Sequence, residues 1–145
     1  MRIQKSIEIG APPERIWPFF TEPEKILKWC ITFKKFEYTG EQRSGVGTPL
    51  YIEEKVGPLM KLNFEFTEWV ENERLSFRMT SGTAVKAYEQ RWTLEPTLSG
   101  STFTFMEEFK LPFGILGSFM EMAGKGRSGA YVDEMLGKLK SFAEA

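Results

Sequence analysis

The sequence contains no histidine and a single cysteine, Cys30. The absence of histidine excludes Ser-His-Asp and Cys-His catalysis and every histidine-ligated metal site. One cysteine also excludes an internal disulfide and a zinc–thiolate cluster. Nothing in the residues indicates a metal or an organic cofactor, so we expect neither. We expect Cys30 itself to be a small buried apolar side chain.

Excess charge of one sign and long apolar runs are also missing. Nineteen basic and twenty acidic residues give a net charge of -1, which provides no positive surface for a nucleic-acid backbone. Residues 1–8 lack the apolar core of a signal peptide, and the longest uncharged run, Leu111 to Met120, is too short to span a bilayer. The sequence predicts a soluble, cytoplasmic protein with no nucleic-acid partner and no integral membrane segment. It carries no signal for an oligomeric state.

Aromatic residues are abundant, with 13 Phe, 4 Trp and 4 Tyr in 145 residues. That length is typical of one domain, which we expect to span residues 1–145. Residues 2–9 alternate as a strand does, and residues 31–110 have period two and are divided into six strands by turn residues. The pattern predicts a seven-stranded antiparallel sheet.

Helical spacing appears in two places. Two short helices are expected between the first strand and residue 30, with Pro18 kinking or shortening the first of them. The apolar spacing after Pro112 predicts a long C-terminal helix whose glycines weaken its first half, so that its firm part begins near Ser128. A sheet with one apolar face and one long helix to cover it is an α+β architecture.

Several segments, in their order and spacing, resemble the START-related helix-grip superfamily (SRPBCC), in particular its polyketide cyclase/dehydrase and lipid-transport branch. The resemblance covers nearly the whole chain and rests on residues 11–17, 21–24 with Trp29, 45–48, 67–75 and 92–96. It implies a helix-grip fold, in which a curved seven-stranded sheet wraps around the C-terminal helix. It also implies a hydrophobic cavity between the two for a lipid, a polyketide or another apolar molecule. The superfamily shares a cavity rather than a catalytic motif, so the fold alone does not fix the function.

One face of the predicted sheet is apolar and aromatic, and its side chains are candidates for lining that cavity. The candidates on the strands are Leu62, Phe64, Phe66, Phe77, Met79, Tyr88, Trp92, Phe103 and Phe105. Those at the expected inward spacing of the helix are Met120, Ala123, Arg127 and Tyr131. The alternative is that these residues form an ordinary core.

Polar residues in the inward phase of the strands are more informative, because burying them without partners is costly. If the last hairpin pairs Leu94 with Phe103, then Gln90 faces Glu107, and the two form one polar spot in an aromatic wall. Arg127 either points toward Glu107 or extends into solvent. The polar spot would bind the polar head of a ligand or form a satisfied buried network. A third interpretation makes Glu107 a general acid or base with a pKa raised by desolvation.

Two further inward-phase residues, Glu54 and Glu68, are expected to be solvated because they lie near strand ends.

Gly124 to Gly129 match G-x-G-x-x-G but lack the βαβ context of a dinucleotide site. These glycines either allow close contact with the sheet or let the helix start move as a ligand gate. Residues 111–120 form either the buried start of a helix or a portal that contacts a membrane or a protein transiently.

The residues and the resemblance together favour binding or transport of a small hydrophobic ligand. Two alternatives stay open. One is a cyclase or dehydratase acting on a polyketide-like substrate, for which Glu107 is the catalytic candidate. The other is a protein-binding adaptor similar to heat-shock-protein activators.

Overall fold

The structure, a computed structural model, describes the backbone of residues 1–145 and every side chain except those of Ile115 and Phe119. Seven strands and four helices follow one another along the chain. In order they are β1 (Arg2–Ile9), α1 (Pro13–Ile16), α2 (Pro18–Thr21), α3 (Pro23–Trp29), β2 (Phe33–Tyr38), β3 (Pro49–Lys55), β4 (Leu59–Val70), β5 (Arg74–Gly82), β6 (Ala87–Thr97), β7 (Gly100–Lys110) and α4 (Gly114–Glu144).

The strands form one antiparallel sheet in the order β1-β7-β6-β5-β4-β3-β2, which confirms the predicted seven-stranded topology. The sheet is strongly curved. The hydroxyl of Tyr88 on β6 donates a hydrogen bond to Glu54 on β3, although two strands lie between them in the sheet. The curvature therefore brings β6 and β3 together across the concave face, and the core lies inside that face.

A β-bulge on β4 changes which side chains face that core. Phe66 pairs with Phe77, and the next paired residue, Glu68, is opposite Ser76, so Thr67 is the extra residue. The bulge reverses the alternation and places Glu68 on the outer face. The prediction that Glu68 lies in the inward phase is therefore wrong.

The short helices fill one end of the concave face. Pro18 breaks the first of the two predicted helices into α1 and α2, because a proline lacks the backbone N–H that a continuous helix needs. Trp29, at the end of α3, is wholly buried and lies 4.9 Å from Trp92 and 6.2 Å from Phe20, measured between ring centroids. This end of the molecule is a closely packed aromatic core.

The long helix α4 contacts β1, β7 and α3. It is helical from Gly114, well before Ser128. Among its described side chains, the buried apolar ones lie in the C-terminal half: Val132, Met135, Leu136, Leu139 and Ala143. Within the described part of the chain, no helix has the length and apolarity needed to cross a membrane.

Candidate functional site

Five polar side chains meet on the concave face of the sheet, and we call them the polar cluster: Thr32, Glu54, Tyr88, Gln90 and Glu107. The hairpin β6–β7 contributes three of them. Its register pairs Leu94 with Phe103 and Gln90 with Glu107, as the sequence predicts.

Glu54 is the most deeply buried carboxyl group of the polar cluster, with 3% of its surface exposed. Its two carboxyl oxygens accept hydrogen bonds from Thr32 Oγ1 at 2.7 Å and from Tyr88 Oη at 2.6 Å. The prediction that Glu54 is solvated at a strand end is wrong, because the curl of the sheet brings Tyr88 over it. Glu54 and Thr32 are therefore functional candidates that the sequence analysis missed, although the inward phase of Glu54 was a usable signal.

Glu107 is partly buried and has weaker partners. Its Oε2 atom lies 3.4 Å from both Tyr88 Oη and Gln90 Nε2. Gln90 also donates to Tyr88 Oη at 2.9 Å and accepts from Trp92 Nε1 at 2.9 Å. The other carboxyl oxygen, Oε1, has no hydrogen bond to any residue whose side chain is described. Since no buried polar atom of a described side chain lacks a partner, this unpartnered oxygen has some surface accessible to solvent.

The cluster contains two carboxyl groups and no basic side chain. Burial and the nearby charge of Glu54 raise the pKa of Glu107 to about 8. Burial also raises the pKa of Glu54, against the lowering effect of its hydrogen bonds from Tyr88 and Thr32. Since Glu54 has the shorter hydrogen bonds, it is the ionised member of the pair, and Glu107 holds a proton at neutral pH.

Six of the predicted ligand-binding side chains are wholly buried and pack in the core: Leu62, Phe66, Phe77, Trp92, Phe103 and Phe105. Trp92, for example, lies 5.3 Å from Phe77 and 5.3 Å from Phe20 between ring centroids. Of these six, only Trp92 reaches the polar cluster through a hydrogen bond.

Other predicted residues lie closer to open space. The ring of Tyr88 contacts those of Phe64 and Phe109, and Met79 is partly buried. A groove of about 620 Å³ opens beside Tyr88, and we call it the mouth groove. It is lined by Met1, Arg78, Ala87, Tyr88, Glu89, Glu108, Phe109, Lys110, Ser118 and Glu121.

The predicted inward face of the first half of α4 is wrong by one residue, which is about 100° around a helix. Met120, Ala123 and Arg127 are exposed, and Tyr131 is partly buried. Among the described residues of this stretch, the buried positions are instead Gly117 and Glu121. Arg127 therefore extends into solvent and does not reach Glu107. The apolar spacing misled the prediction because a glycine occupies an inward position and larger apolar residues point outward.

The glycines of the G-x-G-x-x-G match are not explained by close packing. A Cβ atom built on Gly124 or Gly126 would meet nothing within 4 Å, and one on Gly129 would meet only the Lys5 side chain at 3.6 Å. The alternative of close contact with the sheet is therefore wrong at Gly124 and Gly126.

The segment before α4 and the first turns of the helix are largely exposed at Pro112, Phe113, Leu116 and Met120. The side chains of Ile115 and Phe119, which belong to the same predicted portal, lie outside the described ones. Glu121 is buried and accepts a hydrogen bond from the Leu111 amide at 3.1 Å. It was missed because the predicted helix face was wrong.

Cys30 is buried beside the polar cluster, and burial raises the pKa of its thiol well above the usual value. It is therefore a neutral buried side chain, as expected. Among the described side chains, no group of three or more His, Cys, Asp or Glu residues comes together as metal ligands would.

Comparison with solved structures identifies the fold. TTHA0849 from Thermus thermophilus superimposes with a TM-score of 0.81 at 19% identity, covering 99% of this chain and 97% of that one. A START superfamily protein from Mycobacterium smegmatis has a TM-score of 0.78 at 14% identity, with 97% and 98% of the two chains covered. The Zhui aromatase/cyclase from Streptomyces sp. R1128 has a TM-score of 0.72 at 13% identity, with 97% and 93% covered. At these identities the similarity shows the fold alone.

Comparison of sequences identifies the family. No curated protein has a sequence that matches this chain. The family model described as polyketide cyclase/dehydrase and lipid transport, however, matches residues 1–144. This match confirms the family branch that the sequence predicts, and the solved structures agree with it in fold. The chain belongs to the polyketide cyclase/dehydrase and lipid transport family.

Proposed function

We propose that the protein binds a small hydrophobic molecule whose polar group lies against the polar cluster and whose apolar part occupies the mouth groove. The observation that carries this proposal is the polar cluster itself. Two carboxyl groups, Glu54 and Glu107, lie in an aromatic interior with no basic partner among the described side chains.

Stability alone gives no reason to keep these carboxyl groups. Burying an ionisable group is costly, and apolar residues of similar volume are usually as good or better for folding. Perturbed carboxyl groups beside open space are more common at functional sites than elsewhere. The accessible Oε1 atom of Glu107 supports a role for the cluster toward a bound molecule.

The mouth groove is large enough for a ligand of moderate size. Its volume of about 620 Å³ lies within the range of small-molecule sites. Phe109 and Tyr88 line its inner side. The exposed apolar side chains of Phe113, Leu116 and Met120 lie at the start of α4, close in sequence to the groove residues Ser118 and Glu121. The family description indicates lipids and polyketides as ligand classes.

Native mass spectrometry of freshly purified protein, followed by organic extraction, tests the proposal. We expect a bound apolar species that a competing long-chain alcohol displaces. Ser118→Trp should fill part of the mouth groove and reduce occupancy, whereas Ser141→Trp, exposed on the same helix outside the groove, should not. A ligand-free protein that binds no member of a lipid and polyketide panel would contradict the proposal and favour the adaptor role.

Acid–base catalysis is the second candidate, and the protonation of Glu107 favours it. A carboxylic acid with a pKa of about 8 can donate a proton to a carbonyl oxygen at neutral pH. Such a step would suit dehydration or aldol cyclisation of a polyketide-like substrate, the type of substrate that the family description names. An enzyme should lose turnover in Glu107→Gln while still binding substrate. A carrier should bind its ligand without consuming it.

A further inference from the structure

We infer that the site selects ligands whose polar group donates a hydrogen bond and carries no negative charge, such as an alcohol, a phenol or a protonated amine, and that it rejects carboxylates. This inference rests on the proposed function, because it assigns the chemical class of the ligand bound at the polar cluster.

Apart from the proton of Glu107, the donors of the polar cluster are already in use. Thr32 and Tyr88 donate to Glu54, and Trp92 donates to Gln90. The amide group of Gln90 donates to Tyr88 and, over a longer distance, to Glu107. An incoming carboxylate would find only the proton of Glu107 available as a donor.

The free capacity of the cluster is for accepting hydrogen bonds. Glu107 Oε1 has no hydrogen-bond partner among the described residues, and Oε2 has only two partners, both at 3.4 Å. A hydroxyl or ammonium group placed at this carboxyl would supply the missing donor. Groups that lack donors would leave this acceptor without a partner, which is costly in a partly desolvated site.

Charge acts in the same direction. The titratable groups around Glu107 are Glu54 on β3, Tyr88 on β6 and Cys30 after α3, and none of them is basic. An anionic head would meet the charge of Glu54 at short range in a poorly solvated site.

Basic groups do occur at the rim of the mouth groove. Lys110 is exposed there, the Met1 ammonium is 3.5 Å from Glu121, and Arg78 lies 3.8 Å from Glu89 on the outer face. A carboxylate could bind at this rim only with its head away from the polar cluster. Its affinity would then be independent of Glu107.

Three ligands with the same twelve-carbon chain separate these possibilities: dodecan-1-ol below its solubility limit, and dodecylammonium and dodecanoate below their micelle concentrations. We would measure their affinity for the intact protein by calorimetry at pH 6.5. We expect the alcohol and the amine to bind about tenfold or more tightly than dodecanoate. Equal affinities, or tighter binding of dodecanoate, would overturn the inference while leaving the binding function intact. Failure of all three to bind would instead contradict the proposed function.

Raising the pH to 9 provides a second readout at the same site. Glu107 then loses its proton, whereas the amine stays protonated, so dodecylammonium should bind more tightly to the wild type than at pH 6.5. Glu107→Gln should remove this gain. Glu65→Gln, on the exposed face of β4 and outside the mouth groove, should retain it. An equal gain in all three proteins would contradict a role for Glu107, and the wild-type ranking decides the inference even if Glu107→Gln does not fold.

Discussion

Glu107 and Glu54 both lie within hydrogen-bonding distance of one tyrosine hydroxyl, and that shared contact links their ionisation to the stability of the protein. Glu107 keeps its proton up to a pH of about 8 in the folded state, whereas an ordinary glutamate loses it near 4.5. Between these values the folded protein binds more protons than the unfolded chain. Its free energy of unfolding must therefore fall as the pH rises.

We predict that the free energy of unfolding decreases by roughly 1–3 kcal/mol between about pH 5.5 and pH 8.5, measured by urea denaturation. Glu107→Gln should flatten this dependence, because an amide has no proton to lose. Glu65→Gln, on the exposed face of β4, should behave as the wild type does. Glu68 and Glu144, whose pKa values are lowered, affect stability only at more acidic pH. A wild-type stability that is constant over this range would show that Glu107 is not protonated as described.

A second prediction concerns the hydroxyl that bridges the two carboxyl groups. Tyr88→Phe leaves Glu54 with Thr32 as its only hydrogen-bond donor, so the free energy of unfolding should fall by about 1–3 kcal/mol. The matched control is Tyr51→Phe, which removes a hydroxyl that donates to Glu53 on the outer face and should change stability by less than about 0.5 kcal/mol. Similar losses in the two variants, measured by urea denaturation at pH 6, would contradict a special role for the buried hydroxyl.

Some contacts of the polar cluster could be predicted from the sequence, and others could not. The pairing of Gln90 with Glu107 could be predicted from strand alternation and from the position of one turn. Alternation and turn position are both local properties of the sequence. The burial of Glu54 depends on the curl of the whole sheet, which brings together side chains 34 positions apart in the chain. No local pattern contains that information.

At the scale of the elements, α4 combines a packed C-terminal half with a glycine-rich start. The spacing of apolar residues predicts the buried face of a strand or helix well when those residues point inward, as Met135 and Leu139 do. It fails in the first half of α4, where Gly117 faces inward and Leu116 outward. It fails again at the β4 bulge, where one inserted residue reverses the alternation.

The glycines of α4 permit a direct test of the helix. A Cβ on Gly137 would meet nothing within 4 Å, so Gly137→Ala should raise the free energy of unfolding by about 0.5–1 kcal/mol through helix propensity alone. A Cβ on Gly117 would lie 3.1 Å from the carbonyl oxygen of Leu111, so Gly117→Ala should give no such gain. Thermal denaturation of both variants measures the difference. Equal stabilisation would show that the start of α4 does not pack on Leu111 as described.

At the scale of the whole molecule, the two ends of the concave face differ. One end is filled by α1 to α3 and by aromatic side chains in direct contact. The other carries the mouth groove, beside the polar cluster and the exposed start of α4. The sequence predicted the family, the seven-stranded sheet and the long helix. It could not predict which aromatic residues fill space and which border it, because that depends on how the short helices pack into the sheet.

The tryptophans report on both ends at once. The indole N–H of Trp92 donates to Gln90 in the polar cluster, whereas that of Trp29 donates to the backbone of Phe19. Trp69 contacts Trp17 at the end of β4 away from the groove. A ligand at the cluster should therefore disturb the indole of Trp92 more than the other indoles.

The most direct test of the central claim is a titration of ¹⁵N-labelled protein with dodecan-1-ol, followed through the four tryptophan indole signals in ¹H–¹⁵N spectra. Binding at the polar cluster predicts that the Trp92 signal shifts most and that the Trp69 signal changes little. A saturable titration that leaves Trp92 unchanged while Trp69 shifts would contradict a ligand site at the polar cluster.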